Sequence, residues 1–207
     1  MKSKKFTRFI LIGIISVSVI LAMFNVSGCK KAGSSGQNHP QVQVEMEDGN
    51  TFVIELYPEY APKTVENFLK LVNDGFYDGL TFHRIIDGFM AQGGGYDASG
   101  AEKQADTIPG EFSNNGFTQN TLKHTKGVVS MARIGGMNDS ASSEFFIMLD
   151  DKEGPGLDGD YAAFGKVIEG MDVITNFQKL DRTVGPDGNI STPVTPVVIK
   201  KMTEIKT

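Results

Sequence analysis

Apolar and polar residues alternate in the first part of the chain that follows its N-terminal segment. Apolar side chains occupy every second position over residues 42–46 and again over residues 52–56. Because successive side chains of a strand point to opposite faces, this pattern predicts two half-buried strands. Asp48, Gly49 and Asn50 lie between them and are typical turn residues, so we expect a β-hairpin.

The spacing of apolar residues changes to that of a helix after Pro62. Proline is well suited to the first turn, where its missing N–H would have no intrahelical partner. One apolar stripe then follows, made of Val65, Phe68, Leu69 and Val72. Gly75 is a natural stop. A second short helix is predicted from residue 171 to about residue 180.

The rest of the chain predicts short strands separated by glycine-rich turns. We expect strands at residues 80–86, 89–92, 127–132, 144–149, 162–167 and 196–202. The glycine run 93–95 is interpreted as a turn. Many short strands with only two helices favour a mainly β barrel or sandwich with helical lids. Residues 41–207 are predicted to form one domain.

The N-terminal residues are predicted to be an export signal. A basic stretch at residues 2–8 precedes an apolar run at 9–24, and this run of about 16 residues is shorter than the ~20 that a membrane-spanning helix needs. Val26-Ser27-Gly28-Cys29 resembles the bacterial lipobox, in which the chain is cut before the cysteine and the thiol is diacylated. The alternative is an uncleaved anchor with an incidental cysteine.

This resemblance implies a lipid-anchored protein with its domain outside the cytoplasm. Residues 1–28 would be a lipoprotein signal peptide, and residues 29–40, rich in Gly and Ser, a lipidated flexible tether. The anchor at Cys29 would hold the domain on the bacterial cell membrane, or on the outer membrane where the envelope has two. Two acyl chains suffice for stable anchoring.

Charge and composition argue against several functions. The net charge is −5, but residues 1–28 hold four basic and no acidic side chains, so the remaining 16 basic and 25 acidic side chains give −9. Such an acidic body is poorly suited to binding nucleic acid. The one cysteine cannot form an intramolecular disulfide, and the three histidines lack metal-ligand spacing. No metal or cofactor is expected, and a monomer is the default.

Residues 82–94 combine a cation, an amide and large apolar side chains on predicted strands. Arg84, Met90 and Gln92 are evenly spaced and are therefore expected on one face. That face would offer a charge and hydrogen-bond donors beside a hydrophobic surface. The combination suits an apolar group flanked by peptide carbonyls.

This stretch, Phe-His-Arg-Ile-Ile-Asp-Gly-Phe-Met-Ala-Gln-Gly-Gly, resembles the cyclophilin signature. The resemblance continues in family order through residues 122–125, 127–132, 143–147, 157–159 and 164–167, and covers essentially all of residues 42–205. It implies a closed eight-stranded antiparallel β-barrel capped by two α-helices. It also implies peptidyl-prolyl cis-trans isomerase activity, with proline-containing polypeptides, here exported or surface proteins, as substrates.

The resemblance implies a role for each matching residue. Arg84 takes the place of the catalytic arginine. The other matching positions are those that contact the substrate: Phe89, Met90, Gln92, Ala132, Arg133, Phe146, Leu157 and Tyr161. Many members of the family have histidine at the position of Tyr161. Gly156 stands where many members have a tryptophan that is associated with cyclosporin binding. The resemblance therefore does not imply that this chain binds cyclosporin.

Other hypotheses remain open from the sequence. Glu144 and Arg133 replace commoner glutamine and asparagine, and we expect them to pair. His83 and His124 are interpreted as structural, without a nucleophile beside them. A proline-peptide-binding holdase with little catalysis would keep the same pocket. A solute-capturing lipoprotein would fit the lipobox but usually needs two lobes.

Overall fold

The structure is a computed structural model, and it describes residues 39–206. The predictions for the signal peptide, for Cys29 and for most of the tether lie outside these residues. Within residues 39–206 no helix has the length and apolar character needed to cross a bilayer.

The predicted N-terminal hairpin is confirmed. Strand β1 (Gln41–Met46) pairs antiparallel with β2 (Thr51–Leu56), and the alternating residues of β1 are buried. The period-2 pattern therefore places one face of the hairpin on the core, as the alternation of side chains along a strand requires.

Six further strands join the hairpin in one antiparallel sheet. The observed strands are β3 (Leu80–Ile86), β4 (Met90–Asp97), β5 (Val128–Met131), β6 (Phe145–Met148), β7 (Ala163–Glu169) and β10 (Ile199–Ile205). Their order across the sheet is β10-β1-β2-β7-β5-β6-β4-β3. The predicted turn at residues 93–95 is wrong, because these glycines continue β4.

The sheet is a strongly curled half-barrel, so the prediction of a closed barrel is wrong. The edge strands β3 and β10 meet only at one isolated bridge, between Thr81 and Val198. At this bridge the Phe82 N–H donates to the Val197 carbonyl, but further along the free edge of β3 the Ile85 carbonyl accepts from the Arg182 side chain. A continuous ladder between the edges therefore does not form.

Two helices accompany the sheet, as predicted. Helix α1 spans Pro62–Asn73, with proline in its first turn, and α2 spans Met171–Asn176 before a short 3-10 turn. The start of α1 is capped by the buried Glu111 carboxylate, which accepts from the backbone N–H groups of Lys63 (3.0 Å) and Thr64 (2.8 Å). This cap satisfies two N–H groups that have no intrahelical partner.

The apolar side chains form two separate clusters. The main core contains closely packed aromatic rings, among them Phe68, Phe145 and Phe164. The second cluster is centred on Met90 and Phe146. Phe145 and Phe146 therefore belong to different clusters, because adjacent residues of β6 point to opposite faces of the sheet.

A second, two-stranded sheet was not predicted. Strands β8 (Arg182–Val184) and β9 (Ile190–Pro193) form a hairpin that lies against β3. The hairpin is short and largely exposed, so its sequence lacks the alternation that marks the other strands. Its loop brings Asp187 to the face of β3.

Candidate active site

The strand register brings three side chains into a row. Arg84 on β3 lies opposite Gln92 on β4, and Gln92 lies opposite Phe146 on β6. Directly opposite residues share one face and lie about 5 Å apart. The predicted common face of Arg84, Met90 and Gln92 is confirmed, since the Arg84 Nη1 atom lies 3.8 Å from the Met90 sulfur.

The Arg84 guanidinium is fixed on two sides and open on the third. Its Nε donates to Asp187 Oδ2 at 2.7 Å, and its Nη1 donates to Gln92 Oε1 at 3.3 Å. Among the described residues, Nη2 has no hydrogen-bond partner. The side chain is 30% exposed. The arginine therefore keeps a donor available to a ligand while its orientation is held by the protein.

Asp187 is the site residue that the sequence did not reveal. Its Oδ1 accepts from the hydroxyl of the buried Ser191 (2.8 Å) and from the backbone N–H of Asn189 (3.0 Å), while Oδ2 faces Arg84. Hydrogen bonding from Arg84 first, and then from the loop, holds the pKa of Asp187 well below its ordinary value. The carboxylate is therefore ionised and pre-positioned.

The amide of Gln92 is oriented by a second carboxylate. Its Nε2 donates to Glu144 Oε2 at 2.6 Å, which leaves its Oε1 facing Arg84. An ionised carboxylate can only accept, so Glu144 fixes which end of the amide faces the arginine. Asp187 and Gln92 together restrict the rotation of the guanidinium.

The second apolar cluster, which we call the socket, lies next to the arginine. Met90 and Phe146 are almost fully buried, and the half-buried side chains packed around them include Phe89, Leu157 and Tyr161. The Tyr161 ring stands edge-on to Phe146, with centroids 5.7 Å apart. The structure thus brings the predicted apolar site residues together beside Arg84.

The last two predicted positions lie at the rim of this socket. Ala132 packs against the cluster. The Arg133 guanidinium lies 4.7 Å from the centre of the Tyr161 ring, and its Nε donates to the Asp160 carbonyl. The expected pair with Glu144 is wrong, because this stacking turns Arg133 away from that carboxylate.

A cleft of about 520 Å³ adjoins the socket on the other side of Arg84. It lies between β3, the end of β4 and the β8–β9 hairpin. Its walls include Arg84, Gln92 and Glu144, together with Tyr96 and several prolines. The arginine and the glutamine are therefore shared between the socket and this cleft.

A sequence model of the family "Cyclophilin type peptidyl-prolyl cis-trans isomerase/CLD" matches residues 41–204. The chain belongs to the cyclophilin family. Peptidyl-prolyl cis-trans isomerase B of Bacillus subtilis is 45% identical to this cyclophilin over 136 residues, which cover 66% of this chain and 89% of the relative. A probable peptidyl-prolyl cis-trans isomerase of Brucella suis is 39% identical over 165 residues, covering 73% and 78%.

Solved cyclophilin structures share the fold. A Cryptosporidium parvum cyclophilin type peptidyl-prolyl cis-trans isomerase superposes with a TM-score of 0.62 at 26% identity, covering 82% of this cyclophilin and 99% of that chain. AquaCyp293 from Hirschia baltica gives a TM-score of 0.61 at 28% identity, covering 79% and 73%. The family and the names of the relatives support isomerase activity for this cyclophilin.

One hydrogen-bonded group resembles a different kind of active site. His124 lies 3.0 Å from Asp158 through Nδ1 and 3.0 Å from the Ser130 hydroxyl through Nε2. We expected no nucleophile beside His124, and this expectation is wrong, because the Ser130 hydroxyl lies within hydrogen-bond distance of its ring. Ser130 is completely buried and His124 is 2% exposed, so no substrate reaches the hydroxyl. The group is structural, as predicted for the histidine.

No metal centre is formed by the residues that the structure describes. Between residues 39 and 206, no group of three or more His, Cys, Asp or Glu side chains could hold a metal ion. The chemistry available at the socket is that of a cation, amides and apolar surface.

Proposed function

We propose that this cyclophilin accelerates rotation about X-Pro bonds by stabilising the twisted amide with Arg84. The proline ring would sit in the socket formed by Met90, Phe146 and their neighbours, and the preceding peptide group would lie against the guanidinium. The single observation that carries the proposal is the open Nη2 donor of Arg84 at the edge of an apolar socket.

The chemistry follows from the electronic structure of the amide. A planar peptide bond resists rotation because the nitrogen lone pair is delocalised into the carbonyl, which gives a barrier of ~20 kcal/mol. This conjugation is lost in the twisted state, and the proline nitrogen becomes pyramidal and basic. A guanidinium N–H directed at this nitrogen, or at the carbonyl oxygen beside it, binds the twisted state more tightly than either planar isomer.

The surrounding groups support this role without taking part in bond making. Asp187 and Gln92 fix the arginine before the substrate arrives, so little orientation entropy is lost in the transition state. The socket holds the ring while the acyl part turns. No covalent intermediate and no proton transfer are required.

The proposed substrates are exported or surface polypeptides, reached from a lipid-anchored position. The support is the sequence around Cys29, which resembles the lipobox, and the basic and apolar residues before it. Uncatalysed isomerisation takes ~10–100 s, long enough to delay folding after export. The mass of the mature N-terminus tests this part: a diacylated Cys29 is expected, and an unmodified Met1 in the membrane fraction would contradict it.

The activity is tested by the rate at which a proline-containing peptide interconverts in the presence of the detergent-solubilised full chain. Arg84→Ala is expected to lower kcat/KM by about 100-fold, the size of effect seen when one transition-state donor is removed. Circular dichroism of both proteins checks that the fold is kept. An unchanged rate in a folded variant would end the assignment of Arg84.

The same variant separates catalysis from simple binding. If the chain acts as a holdase, wild type and Arg84→Ala will suppress aggregation of an unfolded protein equally well. Neither protein will then accelerate the cis-trans isomerisation of the peptide. The open donor at Arg84 favours the isomerase, because a holdase has no need of a directed cation.

A further inference from the structure

Glu144 is a carboxylate without a positive partner. Its side chain is 26% exposed, its Oε2 accepts from Gln92 and lies 3.5 Å from His83 Nε2. No lysine or arginine nitrogen among residues 39–206 lies within 4 Å of it. Asp187, the other carboxylate that orients the site, is in contrast paired with Arg84.

The histidine beside Glu144 does not neutralise it. Burial, and then the charge of Arg84, lower the pKa of His83 to about 4, so the imidazole is uncharged near neutral pH. Burial raises the pKa of Glu144, the hydrogen bond from Gln92 opposes this change, and the charge of Glu102 adds to it. The carboxylate has lost part of its hydration without gaining a counter-charge, which is an unfavourable state for a buried ion.

The backbone is shaped around this side chain. A Cβ placed on Gly95 would lie 2.5 Å from Glu144 Oε1 and 2.6 Å from its Cγ, distances that real side chains do not occupy. A glycine at position 95 therefore leaves room for the Glu144 side chain in the position that it occupies. The carboxylate is held in the wall of the cleft instead of extending freely into solvent.

Two carboxylates in the wall of the cleft keep an oxygen that accepts from no protein donor in residues 39–206, namely Glu144 Oε1 and Asp97 Oδ2. Asp187 is used by Arg84 and by its own loop, and Asp97 accepts from Ser99 and from the backbone of Ala101. Of the two, Glu144 is hydrogen-bonded to Gln92 and so lies beside Arg84, whereas Asp97 lies at the end of β4 and already accepts three hydrogen bonds through its Oδ1. The cleft shares Arg84 and Gln92 with the socket, so a polypeptide that places proline in the socket continues into the cleft.

We propose that Glu144 makes this enzyme select proline sites flanked by lysine or arginine, whose cationic side chain binds in the cleft against Glu144 Oε1. The inference rests on the proposed isomerase function. A neutral donor would satisfy the oxygen but would leave the charge uncompensated, whereas an ammonium or guanidinium does both. Opposite charges at such a contact also discriminate against acidic segments, which Glu144 repels.

The test is a set of matched peptides that carry Lys, Ala or Glu at each of the two positions before and after the proline. At low ionic strength the full chain is expected to give a kcat/KM about tenfold higher for the best Lys peptide than for its Glu counterpart, with Ala between them. This difference should shrink in about 1 M salt, because screening weakens a partly exposed ion contact.

Glu144→Gln is the matched variant, and Glu102→Gln is the control that removes a nearby charge outside the cleft wall. The ratio of Lys to Glu peptide rates should fall to about one in Glu144→Gln and stay well above one in Glu102→Gln. Each ratio is taken within one protein, so a general change in activity cancels.

Three outcomes decide the matter. Equal rates for Lys, Ala and Glu peptides with the wild type would overturn the cation site while leaving the isomerase intact. A preference that persists in Glu144→Gln, or in high salt, would overturn the role of Glu144. If no peptide is accelerated at all, the proposed function itself fails. Should Glu144→Gln not fold, Asp97→Asn decides between the two free carboxylate oxygens: a ratio that stays well above one supports Glu144, and a ratio that falls to about one overturns its role.

Discussion

Arg84 on strand β3 and Arg182 on the neighbouring β8–β9 hairpin use their guanidinium groups differently. Arg182 is 8% exposed and engages all three of its nitrogens. They bind the Asp87 carboxylate and the carbonyls of Ile85, Gln178 and Leu180. Arg84 is 30% exposed and has an open Nη2 among the described residues. One guanidinium is saturated by the protein, and the other is only oriented by it.

The difference separates a structural cation from a candidate catalytic one. Satisfying every donor of Arg182 ties the β8–β9 hairpin to the edge of β3, so its hydrogen bonds stabilise the fold. The Nη2 group of Arg84 has no protein partner among the described residues and provides a donor for a ligand group. Both side chains are arginines near a carboxylate, so residue type alone does not distinguish them.

Removing Arg182 should have the largest effect on stability. Arg182→Ala leaves the carbonyls of the buried Ile85 and the half-buried Gln178 without their donor, and unsatisfied buried groups cost about 1–3 kcal/mol each. We expect urea unfolding to show a loss of about 3 kcal/mol. The isomerisation rate per folded molecule, measured well below the unfolding midpoint, should stay near that of the wild type.

Arg182→Lys serves as the control, since an ammonium can keep the contact with Asp87 but cannot bridge all the carbonyls. It should lie between Ala and the wild type in unfolding free energy. A specific loss of catalysis in well-folded Arg182→Ala would show that the saturated arginine also acts in the site.

Removing the partner of Arg84 should affect catalysis more than stability. Asp187→Ala frees the guanidinium to rotate, and we expect kcat to fall about tenfold, equivalent to ~1.4 kcal/mol. Binding of a proline peptide, measured by titration calorimetry, should change little, because the socket is untouched. This split between kcat and binding is the signature of a positioning residue.

Asp181→Ala is the matched control, because this aspartate lies at the base of the same hairpin and its exposed carboxylate makes no hydrogen bond among the described residues. It should leave kcat unchanged. If Asp187→Ala instead weakens peptide binding tenfold with kcat intact, then Asp187 contacts the substrate and does not position Arg84.

The strands and helices were predictable where the apolar pattern is strong. Strand β3 begins and ends at the predicted residues, and Pro62 opens α1. The sheet was not predicted to stay open, because closure depends on which groups occupy the free edge of β3. The cap that Glu111 places on α1 comes from a residue 48 positions away in the chain, which no local pattern reveals.

The candidate site was predicted in part for the same reason. The row of Arg84, Gln92 and Phe146 follows from motifs on paired strands. Asp187 lies in an exposed turn whose sequence carries no periodic signal, and it meets Arg84 only through tertiary packing, 103 residues along the chain. The sequence also did not show that Glu144 lacks a cationic partner, because this depends on the packing of Arg133 against the Tyr161 ring.

The Arg84–Asp187 pair should contribute a small, pH-dependent stabilisation. The pKa of Asp187 is depressed in the folded state, so its contribution is present above the ordinary carboxyl pKa of 3.8 and is lost as the pH falls below it. The pair is partly exposed, which limits its contribution to about 1 kcal/mol or less.

Unfolding free energies of wild type and Asp187→Asn, measured from pH 7 to pH 3, test the sign. The wild type should be more stable at pH 7, and the difference should narrow below about pH 4. A difference that widens in acid would contradict the assignment of a depressed pKa to this carboxylate.

Glu144 should give the smallest effect, with the opposite sign. Its pKa is raised in the folded state, so the ionised carboxylate disfavours folding at pH 7, and this penalty is relieved as the pH falls through the folded-state pKa. Glu144→Gln should therefore raise the melting temperature by about 1–3 °C at pH 7. The gain should diminish in acid, where the wild-type carboxyl is itself protonated, and Glu102→Gln should show no comparable gain.

A carboxylate that weakens the fold and is nevertheless accommodated by Gly95 is expected where its charge serves a ligand. If Glu144→Gln is less stable than the wild type at pH 7, the carboxylate is compensated within the protein and the argument for a cationic substrate side chain loses its electrostatic basis.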